Sequence, residues 1–179
     1  MNELQELEMQ HYLGRAKNAL QEYLVHKLLF PKVYLDADWN GEKFDVLAID
    51  RAGVGDVHGV RLVRREPGRR EPSVHSAYLE RAVSESLTSF TDLSGHFRYL
   101  AVFCIEPNKV IWKPSEAIKS QCLAADGVGR VGILYVDVTK EDVKPEVLLK
   151  PERFRSSKEI IELTDRFVAA HDPNVEFRE

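Results

Sequence analysis

Five arginines, Arg61, Arg64, Arg65, Arg69 and Arg70, form the densest positive cluster in the chain, and Glu66 and Glu71 offset only part of their charge. Planar guanidinium forks match the geometry of phosphate oxygens. The plain alternative is a solvated, charged loop. No aromatic residues interleave with these arginines, so a stacking platform for single-stranded nucleic acid is not indicated. Just upstream, in FDVLAID, Asp45 is preceded by Phe44 and followed by an apolar run, and Gly59 and Arg61 alternate onto one face of VHGVRLV. A lone Asp in such a strand either does chemistry or is satisfied by a backbone N–H or an arginine. Alternation sends His58 to the face opposite Arg61.

Other motifs fail on context. GVGRVG at 127–132 fits G-x-G-x-x-G, but it leads into a strand instead of opening a helix, so it is not a dinucleotide loop. The chain holds no phosphate-binding G-x-x-x-x-G-K-[ST] loop and no G-x-S-x-G elbow. Its histidines, at 11, 26, 58, 75, 96 and 171, make no H-x-x-x-H pair, so a zinc hydrolase has no support.

The elements that must position these groups follow from periodicity. Leu4, Leu7, Leu13, Ala16, Leu20, Tyr23, Leu24 and Leu28 recur at helical spacing and predict one helix over 3–29, capped by Asn2 with Gln5 reaching back and stopped by Pro31. Three strands follow, at 33–36, 44–51 and 57–63. Asn40-Gly41 marks a hairpin between the first two, and the short AGVGD link implies a meander. REPGRREP reads as a loop. A helix over 73–90 puts Leu79, Val83, Leu87 and Phe90 on one face. FRYLAVFCI (97–105) and VGILYVD (131–137) are apolar enough to be strands buried on both faces. Short and longer helices are expected at 115–125 and 157–170, the latter with a Ser156/Glu159 capping box and with Ile160, Leu163 and Phe167 inward. The expected core includes Leu13, Leu20, Leu24, Leu47, Ile49, Leu100, Phe103, Ile133, Leu134 and Leu163.

This order resembles the core of the restriction-endonuclease-like, PD-(D/E)XK nuclease superfamily: an α/β fold with a mixed sheet and core order αβββαβ, plus additional helices. The resemblance spans roughly residues 10–138 and rests on element order and local texture. It implies a catalytic Asp on the second strand and Glu-x-Lys on the third, the two carboxylates holding Mg²⁺ that activates water against a phosphodiester. Asp45 matches the Asp. Arg61 stands where the Lys belongs, and Gly59 stands where the Glu belongs and brings no ligand. Hard cations need oxygen ligands, so ligation would require a relocated carboxylate. The resemblance points to Glu22 on the first helix, with Asp36, Asp38 and Asp56 as less specific alternatives. It thereby nominates Asp45, Arg61 and Glu22 as catalytic, Asp45 and Glu22 as metal-binding, and Arg64, Arg65, Arg69 and Arg70 as the contacts to nucleic acid.

With 44% hydrophobic and 30% charged residues, the composition is that of a globular chain and excludes disorder. The expected division is a core at 1–140 and a C-terminal helical extension at 141–179 packed on it, with the one plausible boundary at Lys144–Pro151. A net charge of −4 excludes a binder that uses its whole surface against nucleic acid, but not a local basic patch. Cys104 and Cys122 read as buried free thiols. The polar N-terminus is no signal peptide and no run is long enough to span a membrane, so the expected location is cytoplasmic with no membrane partner. Three functions are then expected in order: a degenerate nuclease-like module recognising nucleic acid or serving an assembly that processes it, with no cofactor; an active Mg²⁺-dependent endonuclease with a relocated carboxylate; and a protein-interaction scaffold.

Overall fold

The computed structural model describes residues 3–50, 56–63, 76–90, 95–104, 112–155 and 157–171. It is a mixed α/β structure. A six-stranded sheet runs in chain order: β1 (Lys32–Trp39), β2 (Glu42–Ile49), β3 (Val57–Leu62), β4 (Phe97–Cys104), β5 (Gly132–Asp137) and β6 (Glu146–Leu149). β1, β2 and β3 form the expected antiparallel meander. β3, β4 and β5 are parallel, and β6 returns antiparallel. The helices are α1 (Glu3–Glu22), α2 (Ser76–Phe90), α3 (Glu116–Gln121) and α4 (Lys158–His171).

Helix α1 and the π-helical turn that follows it at Tyr23–Lys27 cover one sheet face, where Ala16, Leu20 and Leu24 meet Val46, Ala48, Val60 and Leu134. On the other face Leu79, Val83, Leu87 and Phe90 of α2, with Leu163 and Phe167 of α4, cover Leu47, Ile49, Leu100 and Ile133. Both faces of β4 and β5 are therefore buried, as their unbroken apolar runs require. Leu13, expected in the core, is only partly buried, and the side chain of Phe103 lies outside the described residues.

Several local readings change. The first helix does not run regularly to residue 29. It passes into a π-helical turn at Tyr23–Lys27 and closes on Leu29, whose φ is +59°. Asn2 and the side chain of Gln5 lie outside the described residues. The 144–151 stretch is not simply a boundary, since Glu146–Leu149 pairs with β5. At α4, Ser157 accepts from the N–H of Ile160 at 3.2 Å, one residue beyond the expected cap; Ser156 is outside the described residues. The Asn40-Gly41 turn holds as expected, with both residues at positive φ (53° and 86°), the type I′ geometry that suits right-twisted strands. Gly129 and Gly132 of GVGRVG serve packing. A Cβ on Gly129 would stand 2.7 Å from the Phe154 ring, and one on Gly132 would stand 2.9 Å from Pro151. Their absence lets the chain before α4 lie flat on this segment.

Candidate functional site

Strand alternation changes phase in the β1–β2 hairpin, and this sets the site. Val33 packs on the α1 side and Tyr34 on the other. By strict alternation Ala37 would return to the α1 side, but Ala37 and Trp39 both join the α2/α4 side. Asp36 lies between them at φ +51°. The partner strand shifts with it: Val46 and Ala48 face α1, while Phe44 has moved to the opposite cluster. The register runs Leu35 to Val46 and Ala37 to Phe44, skipping the Asp36 and Asp45 that stand between. The shift frees Asp45 to reach α1, together with Asp36.

The α1 residue that meets them is Lys17. Its Nζ is 2.6 Å from Asp36 Oδ1 and 3.9 Å from Asp45 Oδ1. Asp45 is 7% exposed, and its Oδ2 accepts the Leu62 N–H at 2.8 Å. This carboxylate thus replaces backbone pairing where the β2–β3 ladder stops at Val46 and Val60. Arg15, half a turn earlier, donates to the carbonyls of Val138 at 2.6 Å and Lys140 at 2.8 Å, fixing α1 against the end of β5.

The expected partners are not brought to Asp45. Arg61 points to the other sheet face. Its Nε donates to the Lys43 carbonyl at 3.0 Å, and its guanidinium carbon sits 5.6 Å and 5.4 Å from the ring centroids of Phe44 and Phe90. Gly59 faces the same way and lies directly under Phe44. On that face burial pushes the Glu42 carboxyl up, and Arg61 and Arg98 pull it down. Glu22 is exposed. It follows Lys17 by five residues, about 140° around an α-helix, so it projects well away from the direction in which Lys17 reaches Asp45. Asp56 lies at the opposite end of β3 and binds Arg153 at 3.0 Å. Asp38 accepts the turn N–H of Gly41 at 2.7 Å. Arg64, Arg65, Arg69 and Arg70 lie outside the described residues.

His58 takes the α1 side, opposite Arg61, as alternation requires. It is wedged between Phe30 and Phe97, each at 4.4 Å, and shares a 3.2 Å hydrogen bond with the Tyr99 hydroxyl. Burial lowers its ring to about 4, against which Asp56 acts weakly.

The single ammonium offsets half of the formal charge of the two carboxylates. Among the described residues no group of three His, Cys, Asp or Glu is placed to hold a metal. Asp45 already bonds a backbone N–H through one oxygen and faces Lys17 with the other, so as arranged these side chains do not fit a divalent ion. Lys17 was legible in principle. It falls four residues after Leu13 and three before Leu20, on the inward arc of α1, and a cation there needs a buried carboxylate.

Neither known protein-family models nor curated proteins match the chain. Among solved structures it is similar to the SPO1766 protein of unknown function from Silicibacter pomeroyi, at 13% identity and TM-score 0.43 over 93% of this chain and 94% of that one. It is also similar to SfsA of Pyrococcus furiosus, solved in complex with Ca²⁺, at 15% identity and TM-score 0.33 over 76% of this chain and 64% of that one. No helix among the described residues is long and apolar enough to cross a membrane.

Proposed function

We propose that the chain is a restriction-endonuclease-like domain whose catalytic site is degenerate, and that it recognises nucleic acid, alone or within a nucleic-acid-processing assembly, without cutting it. The observation that carries this reading is Lys17 set against Asp36 and Asp45. The acidic position on the second strand is kept and faces the first helix, as in the nuclease resemblance, but an internal ammonium stands where a divalent cation would have to bind. A cation bound by an adjacent side chain has no entropy of association to overcome, so it competes strongly with solvent Mg²⁺. Gly59 supports the same conclusion, because a side chain there meets the Phe44 ring. A pure scaffold would be expected to close the Asp45 site with apolar side chains, and the closure here is ionic.

Affinity for nucleic acid is assigned to the arginines from Arg64 to Arg70. Replacing Arg65, Arg69 and Arg70 together should leave the fold intact and reduce the slope of log K against log salt by up to roughly 2.7 on duplex DNA, at about 0.9 per phosphate contact. Titration of the wild-type protein with duplex DNA across salt, run beside a cleavage assay in Mg²⁺ and in Mn²⁺, tests the proposal. Salt-sensitive binding without cleavage is the expected result. Cleavage abolished by Asp45→Ala and by either Asp36→Ala or Glu22→Ala would establish a working nuclease with a relocated ligand instead. No binding at low salt would leave the scaffold reading.

A further inference from the structure

At the end of the sheet remote from Lys17, His96 ties three segments together. It precedes β4 and is fully buried, with no exposed surface. Its backbone N–H donates to the Val57 carbonyl at 3.1 Å, and its Nδ1 accepts the Val57 N–H at 3.2 Å, so both polar groups of Val57 rest on one residue. Its carbonyl accepts the Phe154 N–H at 2.8 Å, which holds the arm leading to α4. That arm is also held by Arg153, which donates to Asp56 Oδ1 at 3.0 Å, and Asp56 Oδ1 lies 3.6 Å from His96 Nδ1.

With Nδ1 accepting, the ring proton of neutral His96 sits on Nε2. That atom is buried and has no hydrogen-bond partner among the described residues, so its desolvation is not repaid. The ring is therefore held where only the neutral form suits its surroundings. A second proton would make Nδ1 a donor facing the Val57 donor, and the Asp56 carboxylate, 3.6 Å away, is an acceptor for it.

We propose that His96 is a proton-operated latch: on protonation its Nδ1 leaves the Val57 N–H for the Asp56 carboxylate, competes there with Arg153, and loosens the 152–154 arm from the β3–β4 junction. The charged and titratable described residues facing the ring are Asp56 and His58 of the β3 strand end and Arg153 of the arm. Burial holds the ring below the usual histidine range; Asp56 opposes that and Arg153 adds to it. The latch therefore opens on the acid side of 6.5. Its direction is fixed by the bonding pattern: acid opens it and neutral pH closes it.

Amide hydrogen exchange on the intact chain, corrected for intrinsic rates, tests this together with an NMR titration of the His96 ring. If opening takes up one proton, protection of the Val57 and Phe154 amides should fall up to tenfold per pH unit below the ring's midpoint, while Leu100 and Ile133 keep theirs. His96→Asn, whose amide oxygen can accept from Val57 without titrating, should abolish the pH dependence. Asp56→Asn should move the midpoint lower. If His96→Asn does not fold, the wild-type data decide, because the His96 ring and the Val57 amide must titrate together. Independent titration of the two, a loss that persists in His96→Asn, or a simultaneous loss across the whole sheet would each overturn the latch.

Discussion

Adding one methyl group to residue 59 tests how the site is built. A Cβ there would lie 2.3 Å from Phe44 Cε1 and 2.6 Å from Cδ1. Ordinary carbon contacts begin near about 3.5 Å, so the ring would have to retreat by roughly 1.2 Å. It has little room, since Phe44 is 2% exposed, lies edge-on to Phe90 at 6.1 Å, and carries the Arg61 guanidinium at 5.6 Å. Overpacking of this kind costs about 1–3 kcal/mol. Replacing glycine stiffens the unfolded chain and returns about 0.4–1 kcal/mol. The strain wins, and Gly59→Ala should lose about 1.3 kcal/mol net. In urea unfolding this appears as a lower midpoint at unchanged slope, and in a thermal scan as a drop of roughly 3–5 °C for a chain of this size. Phe44→Leu should relieve the clash, so the double variant should be more stable than the two single losses add up to. A Gly59→Ala change within about 0.5 kcal/mol of wild type would refute this packing. The same clash means that Gly59→Glu, which rewrites the missing acid of the nuclease pattern, should destabilise the protein without creating metal-dependent cleavage.

Lys17→Met keeps most of the packing of the stem but removes the charge. The attraction to Asp45 at 3.9 Å is at most about 4 kcal/mol at an effective dielectric near 20, and Asp36, at 67% exposed, adds little, so a loss of about 1–3 kcal/mol is expected in urea melts. Millimolar Mg²⁺ should restore part of that loss in the variant only; an equal Mg²⁺ shift in the wild type would contradict the assignment of Lys17 as the resident cation. His58, lowered to about 4 from 6.5 by burial, is neutral when folded and binds a proton more readily when unfolded. Its contribution, up to about 3 kcal/mol, is complete above pH 6.5 and is lost as pH falls towards 4, so urea midpoints measured across that window should decline in the wild type and decline less in His58→Gln. Leu29 sits at φ +59° and is 77% exposed, so Leu29→Gly should stabilise by about 1 kcal/mol; a loss of stability would show that Leu29 makes contacts that outweigh its backbone strain.

The sheet was legible because its evidence is long and redundant. FRYLAVFC and GILYVD are apolar on both alternating sets of positions, and only a strand buried on both faces uses such a run. Asn40-Gly41 fixed the first hairpin through backbone geometry alone. Strand β6 escaped notice because EVLL is short, half exposed and framed by prolines, so it carries neither a period nor a buried face of its own. The π-helical end of α1 was equally hidden, because an i to i+5 turn leaves the spacing of Tyr23, Leu24 and Leu28 nearly helical.

The side chains of Asp45 and Arg61 fall on different faces for one physical reason. Reading Asp45 and Arg61 onto a common face assumes an unbroken period of two along both strands, and a single change of phase transfers every later side chain to the other side. Here the change falls at Asp36 and Asp45, opposite one another in the hairpin. Asp36 is one of the few residue types that adopts positive φ at tolerable cost, and Lys17 supplies the charge that holds both carboxylates on the α1 side. The kink and the ion cluster therefore depend on each other: without the kink Asp45 would enter the apolar α2/α4 layer, and without Lys17 two facing carboxylates would oppose the kink. Arg61, left on the other face, is held by the Phe44 and Phe90 rings and the Lys43 carbonyl. The residues that a strand pattern would group as one catalytic set are thus divided between two layers, and the cation beside Asp45 comes from a helix position that the strand pattern does not include.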